Sequence, residues 1–230
     1  MTEVVPRLTR VHVFAGCLVL LLGLAPVVSR SAQAPAEHDQ PRKTSEPYTG
    51  DLSIFEYKDR DQKLQVQRVM DILGISAGKT VADIGAGSGW FSVRAARRVT
   101  PAGRVYAVDI NPDAIRYIEN RASREHAKNV HAVLSQPDNP MLPADSIDAA
   151  LLLKTYHEVA DPVSLLKNLQ KSLRPKARLG IIDRNGNGAD HGVNRDVVIR
   201  EAREAGFKLV EKYDFVKADR EDYFLVFEPF

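Results

Sequence analysis

The sequence contains one cysteine, Cys17, and is nearly neutral in charge. Cys17 lies in an apolar leader, so a chain without the leader has no thiol, which excludes disulfides, a cysteine nucleophile and a thiolate metal site. The 32 basic and 30 acidic residues leave a net charge of +2, without the basic stripe of nucleic-acid-binding proteins. The six histidines show no His-x-x-x-His pairing. The sequence therefore predicts neither a metal site nor a nucleic-acid partner.

A long apolar run occurs near the beginning of the chain, over residues 11–28. Arg7 and Arg10 precede it and small residues follow it, a layout typical of a secretory signal peptide. We expect cleavage after Ala36, because Pro35 hinders cleavage after Ala34. A run of this length is also compatible with an uncleaved membrane anchor. The prediction is an exported protein, periplasmic or secreted, with a membrane-anchored protein as the alternative and the leader as its only membrane contact.

The composition changes after the leader. Residues 37–54 are rich in Pro, Ser, Glu and Lys, which predicts a flexible linker. Residues 55–230 are enough for one domain of ordinary size. We therefore assign residues 1–36 to a signal peptide or anchor, 37–54 to the linker and 55–230 to a single folded domain.

Within residues 55–230, apolar strands alternate with helical patterns, which predicts an α/β fold, a doubly wound parallel sheet covered on both faces. Only residues 216–221 separate the last two strands, too few for a parallel crossover, so these strands form an antiparallel hairpin. The predicted strands are 79–84, 104–110, 130–134, 147–153, 177–183, 208–215 and 222–227; the predicted helices are 61–73, 90–99, 112–124, 162–173 and 195–205.

The first of these strands runs into the loop Gly85-Ala86-Gly87-Ser88-Gly89, and a predicted helix follows. Glycines let the backbone approach a ligand closely, and the helix start offers free N–H groups to polar ligand atoms. Asp109 ends the second strand, 20 residues after Gly89. A carboxylate at that distance can accept both hydroxyls of a ribose. The alternative is that Asp109 caps the helix that begins at Pro112.

Several segments resemble class I S-adenosylmethionine-dependent methyltransferases. Residues 81–89 resemble motif I of that family, residues 105–110 resemble its acidic ribose strand, and the terminal hairpin matches its antiparallel last strand. Residues 173–179 resemble the turn before its fifth strand, but Lys176 and Ala177 replace two glycines, so we expect that turn to differ in shape. The resemblance covers about residues 55–230 and implies a Rossmann-like, seven-stranded, mostly parallel sheet with an antiparallel last strand.

The resemblance also implies a cofactor, S-adenosyl-L-methionine, and residues that bind it. It places the amino-acid part of the cofactor against the backbone of the glycine loop. In the loop after the third strand, it places two residues where such enzymes often touch the adenine edge, although the three prolines of that loop equally predict a rigid turn. The implied contacts are Asp83 with the methionine amino group, Gly85, Ala86, Gly87, Ser88 and Gly89 with the amino-acid part, Asp109 with the ribose, Ile110 with the adenine face, and Asp138 and Asn139 with the adenine edge.

Thr155-Tyr156-His157-Glu158 follows the fourth strand, at the sheet edge that faces the ligand crevice in doubly wound folds. Similar segments occur in a branch of small exported methyltransferase-like proteins. His157 and Glu158 are candidates for the general base or for substrate orientation, because removing a proton helps methyl transfer. Alternatively, His157 hydrogen-bonds a loop carbonyl and Glu158 begins the next helix. Asp183, Asp190 and His191 follow the fifth strand and are further candidates for the acceptor pocket.

The resulting prediction is an S-adenosylmethionine-dependent methyltransferase that acts on a small-molecule acceptor. Two alternatives remain at this point. One is an exported, non-catalytic S-adenosylmethionine-binding protein, since the cofactor is made in the cytosol. The other is a nicotinamide (NAD)-dependent oxidoreductase, against which the terminal hairpin and the loop spacing argue.

Overall fold

The computed structural model describes residues 1–3, 44 and 48–230. The chain divides into two units, Met1–Asp39 and Gln40–Phe230. In the first, residues 1–3 are exposed and belong to no helix or strand. The predicted signal peptide, the apolar run 11–28 and most of the linker 37–54 lie outside the described residues. Within the described ranges, no helix is both long and apolar enough to cross a bilayer.

The second unit is built on one seven-stranded sheet with the order β3-β2-β1-β4-β5-β7-β6. Strand β7 is antiparallel to β5 and β6, and the remaining pairs are parallel. This confirms the predicted mostly parallel, Rossmann-like sheet with an antiparallel last strand. The strands are β1 Thr80–Ile84, β2 Arg104–Asp109, β3 Val130–Leu134, β4 Ile147–Leu153, β5 Leu173–Asp183, β6 Phe207–Tyr213 and β7 Tyr223–Pro229.

Over residues 48–230 the structure has six α-helices and three short 3-10 helices; two of the α-helices and one 3-10 helix precede β1, and the others lie between strands. The six are α1 Arg60–Leu64, α2 Val66–Ile72, α3 Trp90–Val99, α4 Pro112–Arg124, α5 Pro162–Ser172 and α6 Arg195–Glu204. The 3-10 helices are Leu52–Glu56, Tyr156–Glu158 and Phe215–Asp219. The first of these crosses the boundary that the composition placed between linker and domain.

The prediction of a single helix over residues 61–73 is wrong. Gln65, with φ 53° and ψ 50°, is left-handed and separates α1 from α2. Leu64 and Val66 are both fully buried, yet two residues two apart lie on different sides of one helix. The left-handed residue between them turns both side chains into the core.

Each face of the sheet carries its own apolar cluster. Strand β4 contributes side chains to both clusters. Ala150 and Leu152 belong to one cluster, and Ala149 and Leu151 belong to the other. Helices α5 and α6 cover the first face, and α2 and α3 cover the second. Burial on both faces requires apolar residues at odd and even positions alike.

The segment in which Lys176 and Ala177 replace the two glycines forms the irregular start of the fifth strand. Strand β5 begins at Leu173 rather than at residue 177, and its pairing with β4 shifts between Ile147 and Ala149. Lys176 has a φ of 66°, in the region that glycine occupies without cost and other residues at roughly 1–2 kcal/mol. The chain therefore forms an irregular strand segment here.

The strand order places the ligand crevice. From β1 the chain passes to β2 and β3 on one side, and then to β4 on the other side. The loops after β1 and β4 therefore leave the sheet in opposite directions, which opens a crevice at the carboxyl ends of these two strands.

Candidate cofactor and acceptor site

A cavity of about 570 Å³ occupies this crevice, within the second unit. That volume lies in the range of small-molecule and cofactor sites. The glycine loop after β1 and Asp109 at the end of β2 line one part of it. His157 and Glu158, after β4, line another part, together with His191 from the loop after β5.

The glycine loop is held against the end of β2. The backbone N–H groups of Gly85 and Ala86 donate to the carbonyl oxygen of Val108 at 2.8 and 2.9 Å. Gly85 has a φ of 71°, and a Cβ on it would lie 2.2 Å from Cγ2 of Thr155, so another residue at position 85 would displace the β4 loop. Gly85, Ala86, Gly87 and Ser88 line the cavity, whereas Gly89 is the N-cap residue of α3.

Asp109 connects the loop to the cavity. Its Oδ2 accepts from the N–H of Gly87 at 2.9 Å, and its Oδ1 accepts from the N–H of Asn111 at 2.9 Å. The cap of α4 is Asn111, whose Oδ1 accepts from the N–H of Asp113. Burial raises the pKa of Asp109, against the lowering effect of these backbone N–H groups. Asp109 thus holds the glycine loop in place and lines the cavity together with Ile110. The residue that caps helix α4 is Asn111 and not Asp109.

Asp83, in strand β1, lines the cavity. It is buried, and its Oδ2 accepts from the Ser92 hydroxyl at 2.5 Å. Burial raises the pKa of Asp83 to about 6, although the Ser92 hydrogen bond and the Arg60 charge lower it. The guanidinium of Arg60 lies 4.2 Å from the centre of the Trp90 ring. A buried acid beside a cavity is suited to a cationic ligand group.

Polar atoms at this end fit a polar ligand. Among the described residues, Nε of Arg60 and the hydroxyl of Ser88 are buried without a hydrogen-bond partner, and both residues line the cavity. Buried polar groups usually have partners. A Cβ on Gly87 would meet nothing nearer than Phe55, at 3.7 Å, so the loop faces open space there. The donors, the acid Asp83 and the carboxylate of Asp109 suit the amino-acid and ribose parts of S-adenosylmethionine.

The loop after β3 places Asp138 and Asn139 away from the cavity wall, which at this point consists of Gln136, Pro137 and Pro140. Oδ1 of Asn139 accepts from the N–H of Met141, and the carbonyl oxygen of Asp138 accepts from Asn168. Both residues support the turn itself. Contact between them and an adenine stays a prediction.

At the other end of the cavity, His157 is held by a carboxylate. Its Nδ1 lies 2.8 Å from Oδ1 and 3.0 Å from Oδ2 of Asp183, and its backbone N–H donates to the same carboxylate. The partner is therefore a fully buried aspartate and not the loop carbonyl considered in the sequence. Because Nδ1 donates, the lone pair of the neutral ring is on Nε2.

Glu158 completes this end. Its Oε1 lies 3.8 Å from Nε2 of His157. Glu158 ends the 3-10 helix, and α5 begins only at Pro162, so Glu158 does not start that helix. Burial raises the pKa of Glu158 to about 7. The carboxylate of Glu158 and Nε2 of His157 therefore both line the cavity, and each can accept a proton.

Lys154 lines the cavity and belongs to a charge cluster that sequence reasoning missed. Nζ of Lys154 lies 3.2 Å from Oδ2 of Asp219 and 2.9 Å from Oε1 of Glu221, and Tyr57 donates to Asp219. Burial alone would lower the pKa of Lys154, but Glu221 and Asp219 outweigh it and raise that pKa. These residues come from three distant segments, so no local motif marks them.

A family model described as a methyltransferase domain matches residues 75–216. Among curated proteins, the chain is 28% identical over 115 residues to a ubiquinone/menaquinone biosynthesis C-methyltransferase of Hahella chejuensis, a match covering 50% of this chain and 46% of that protein. It is 30% identical over 112 residues to a 2-phytyl-1,4-naphtoquinone methyltransferase of Trichormus variabilis, covering 48% of each. The chain thus spans about half the length of these relatives.

Among solved structures, a S-adenosylmethionine (SAM)-dependent methyltransferase from Aquifex aeolicus superposes with a TM-score of 0.70 at 22% identity, covering 78% of this chain and 97% of that one. This likeness concerns the fold. The family model covers more than half of the chain, including the glycine loop, Asp109 and the His157 segment. The chain belongs to the methyltransferase-domain family, its fold is that of class I S-adenosylmethionine-dependent methyltransferases, and the cofactor of that class is S-adenosylmethionine.

Proposed function

We propose that this protein transfers a methyl group from S-adenosylmethionine to a small-molecule acceptor that loses a proton as it is methylated. The observation that carries this proposal is one cavity with two different ends. The glycine loop and Asp109 line one end, and His157 and Glu158 line the other. A donor and an acceptor in the same crevice would lie close enough for direct transfer.

The bound cofactor would supply a methyl group on a positively charged sulfur; the acceptor's electron pair forms the new bond to carbon as the carbon–sulfur bond breaks and its pair stays on sulfur. The protein's own contribution is alignment and proton removal. Nε2 of His157 is placed to accept the acceptor's proton, because Asp183 keeps the other ring nitrogen protonated. Glu158, 3.8 Å from Nε2, is placed to stabilise the imidazolium that results.

The acceptor class that fits best is a hydroxylated aromatic ring, such as a phenol or a hydroquinone. Val159 and Leu165 give the cavity apolar surface, and Phe55, which faces Gly87, gives it an aromatic ring. Apolar walls with a few polar groups are the usual lining for such ligands. The two curated relatives described above carry names that refer to quinones, which supports the same class. A phenolic proton is within reach of a histidine base.

The experiment combines binding and turnover. Calorimetry compares S-adenosylmethionine, S-adenosylhomocysteine and NAD; tight NAD binding without S-adenosylmethionine binding would overturn the proposal in favour of an oxidoreductase. Methyl-labelled S-adenosylmethionine is then incubated with phenols, hydroquinones, amines and carboxylates, and the label is followed into product. Binding of the cofactor without transfer to any of them would favour the non-catalytic alternative.

We also propose that the protein is exported, from the arrangement of Arg7, Arg10 and the apolar run 11–28. N-terminal sequencing of the natural protein, with fractionation of the cells, tests this. A mature chain that begins near residue 37 supports export. An intact leader in the membrane fraction supports the anchor.

A further inference from the structure

Three potential metal ligands meet at the acceptor end of the cavity. They are His157, Glu158 and His191, whose candidate ligand atoms all lie within 4.8 Å of one another. Nε2 of His157 is 3.8 Å from Oε1 of Glu158, and the two imidazole rings lie 5.8 Å apart, nearly perpendicular. The first two residues come from the 3-10 helix after β4 and the third from the loop after β5. The fold unites them although 33 residues separate Glu158 from His191.

The surroundings of His157 are those of a metal ligand. A metal-bound histidine usually donates its second ring N–H to a carboxylate, which fixes the ring and leaves the other nitrogen for the ion. Asp183 accepts from Nδ1 of His157 in this way, at 2.8 Å. The backbone N–H groups of His157 and Arg184 also donate to Asp183. The carboxylate is fully buried, so it cannot turn away to serve as a ligand itself.

The cluster is open on the side an ion would use. His157 is buried, Glu158 is half-buried and His191 is exposed, and all three line the cavity. Ligand atoms about 2.0–2.2 Å from a tetrahedral ion lie roughly 3.4 Å apart. The distance of 3.8 Å between Nε2 of His157 and Oε1 of Glu158 is near that value. Rotation of the exposed His191 side chain would shorten its distances to the other two ligand atoms.

We propose that His157, Glu158 and His191 bind one divalent ion of the first transition series, such as Zn²⁺ or Co²⁺. Two imidazoles and one carboxylate suit these ions better than Mg²⁺ or Ca²⁺, which prefer oxygen ligands. Three protein ligands leave at least one coordination position open towards the cavity. A hydroxyl of the acceptor bound there would be acidified by the ion.

This proposal concerns ion binding and does not depend on methyl transfer. Nε2 of His157 has one lone pair, so it either binds the ion or accepts a proton. In the ion-bound protein, the ion replaces His157 as the group that lowers the pKa of the acceptor hydroxyl. The ion-free protein retains the His157 base described above.

The test uses the full chain without a polyhistidine tag, freed of metal with a chelator that is then removed. Titration with Co²⁺, followed by its visible absorption, and with Zn²⁺, followed by calorimetry, should give one ion per chain. His191→Ala and Glu158→Gln change partly exposed side chains and should each lower the affinity at least 10-fold. Asp183→Asn should lower it about 10- to 100-fold, the usual cost of losing such a supporting carboxylate. The matched control is His131→Ala, an exposed histidine on β3, which should leave the affinity unchanged.

Thermal melts verify that each variant is folded. Equal Co²⁺ affinity in the wild type, His191→Ala and Glu158→Gln would overturn the proposal, as would the absence of one-to-one binding in the wild type. Both results are obtained without cofactor or acceptor. Methyl transfer by the metal-free protein is assayed separately, so a failure of the ion site and a failure of the proposed activity are distinguishable.

Discussion

Nδ1 of His157 lies 2.8 Å from Oδ1 of Asp183, and the aspartate is fully buried behind the ring. The pair joins the 3-10 helix after β4 to the end of β5. It sets the ring orientation and the tautomer, leaving Nε2 as the acceptor nitrogen. The proposed proton transfer depends on this geometry.

Asp183→Asn should reduce kcat for methyl transfer by about 10²- to 10⁴-fold, the range for loss of an oriented general base. Cofactor affinity should change little, because Asp183 lies at the acceptor end. Asp196→Asn, at an exposed acid in the first turn of α6, is the control. Steady-state kinetics and calorimetry in metal-free buffer separate the two effects. An unchanged kcat in a folded Asp183→Asn protein would remove the pair from the mechanism.

Asp109→Asn should weaken S-adenosylmethionine binding about 10- to 100-fold, because a charged hydrogen bond to the ribose contributes about 1.5–3 kcal/mol. Asparagine retains one oxygen to accept from the N–H of Gly87 or Asn111, so the loop should stay folded. Asp113→Asn, an exposed acid in the first turn of α4, is the matched control. Calorimetry measures both. Equal affinity in the wild type and Asp109→Asn would exclude Asp109 from the cofactor site.

Asp83 should make the free energy of unfolding depend on pH. Burial raises its pKa in the fold to about 6, from the ordinary value of 3.8. Since the folded value is the higher one, the contribution of Asp83 to stability is full below about pH 4 and is lost as the pH rises through about 6. The difference in free energy of unfolding between Asp83→Asn and the wild type should therefore shift by about 2 kcal/mol in favour of the variant when the pH is raised from 4.5 to 7. Urea unfolding at the two pH values measures this, and a constant difference would contradict it.

Gly85→Ala should both destabilise the protein and weaken cofactor binding. A Cβ there meets Cγ2 of Thr155 at 2.2 Å, and the φ of 71° adds strain of about 1–2 kcal/mol. Gly78→Ala is the matched control, because Gly78 has a φ of 80° and open space around it. The loss in melting temperature should be larger at position 85, and Thr155→Ala should partly restore it. Equal losses at both positions would show that Thr155 does not confine the loop.

Lys154→Met should destabilise the fold by about 3 kcal/mol at pH 8, because it removes the cation beside buried Glu221 and the nearer of the two cations beside Asp219, whose other partner is Arg60 at 3.9 Å. The cost should be smaller at pH 5. Burial raises the pKa of Glu221 to about 7 even beside Lys154, so this acid takes up a proton and its charge disappears. Lys217→Met, in an exposed pair with Asp214, should cost less than about 0.5 kcal/mol. Chemical unfolding of both variants provides the comparison, and similar costs for the two would contradict the cluster's role.

Local patterns predicted most of the fold. Helices 90–99 and 112–124 and strands 130–134 and 147–153 agree with the observed bounds, because apolar spacing and capping residues act within a few positions. The predicted helix 61–73 is two helices, separated by the left-handed Gln65. The burial of Leu64 and Val66 on either side stabilises this break, and no local sequence pattern marks it.

The sequence by itself determined the sheet, the glycine loop and the position of Asp109, because a strand, a tight loop and a ribose acid occur at fixed distances along the chain. Only the tertiary structure decided what surrounds His157. Pairing of β4 with β5 brings in Asp183, and the loop after β5 brings in His191. This arrangement is the basis of the proposed ion site, which spacing alone did not predict. Residues far apart in sequence meet through strand register and loop packing, and these depend on the whole core.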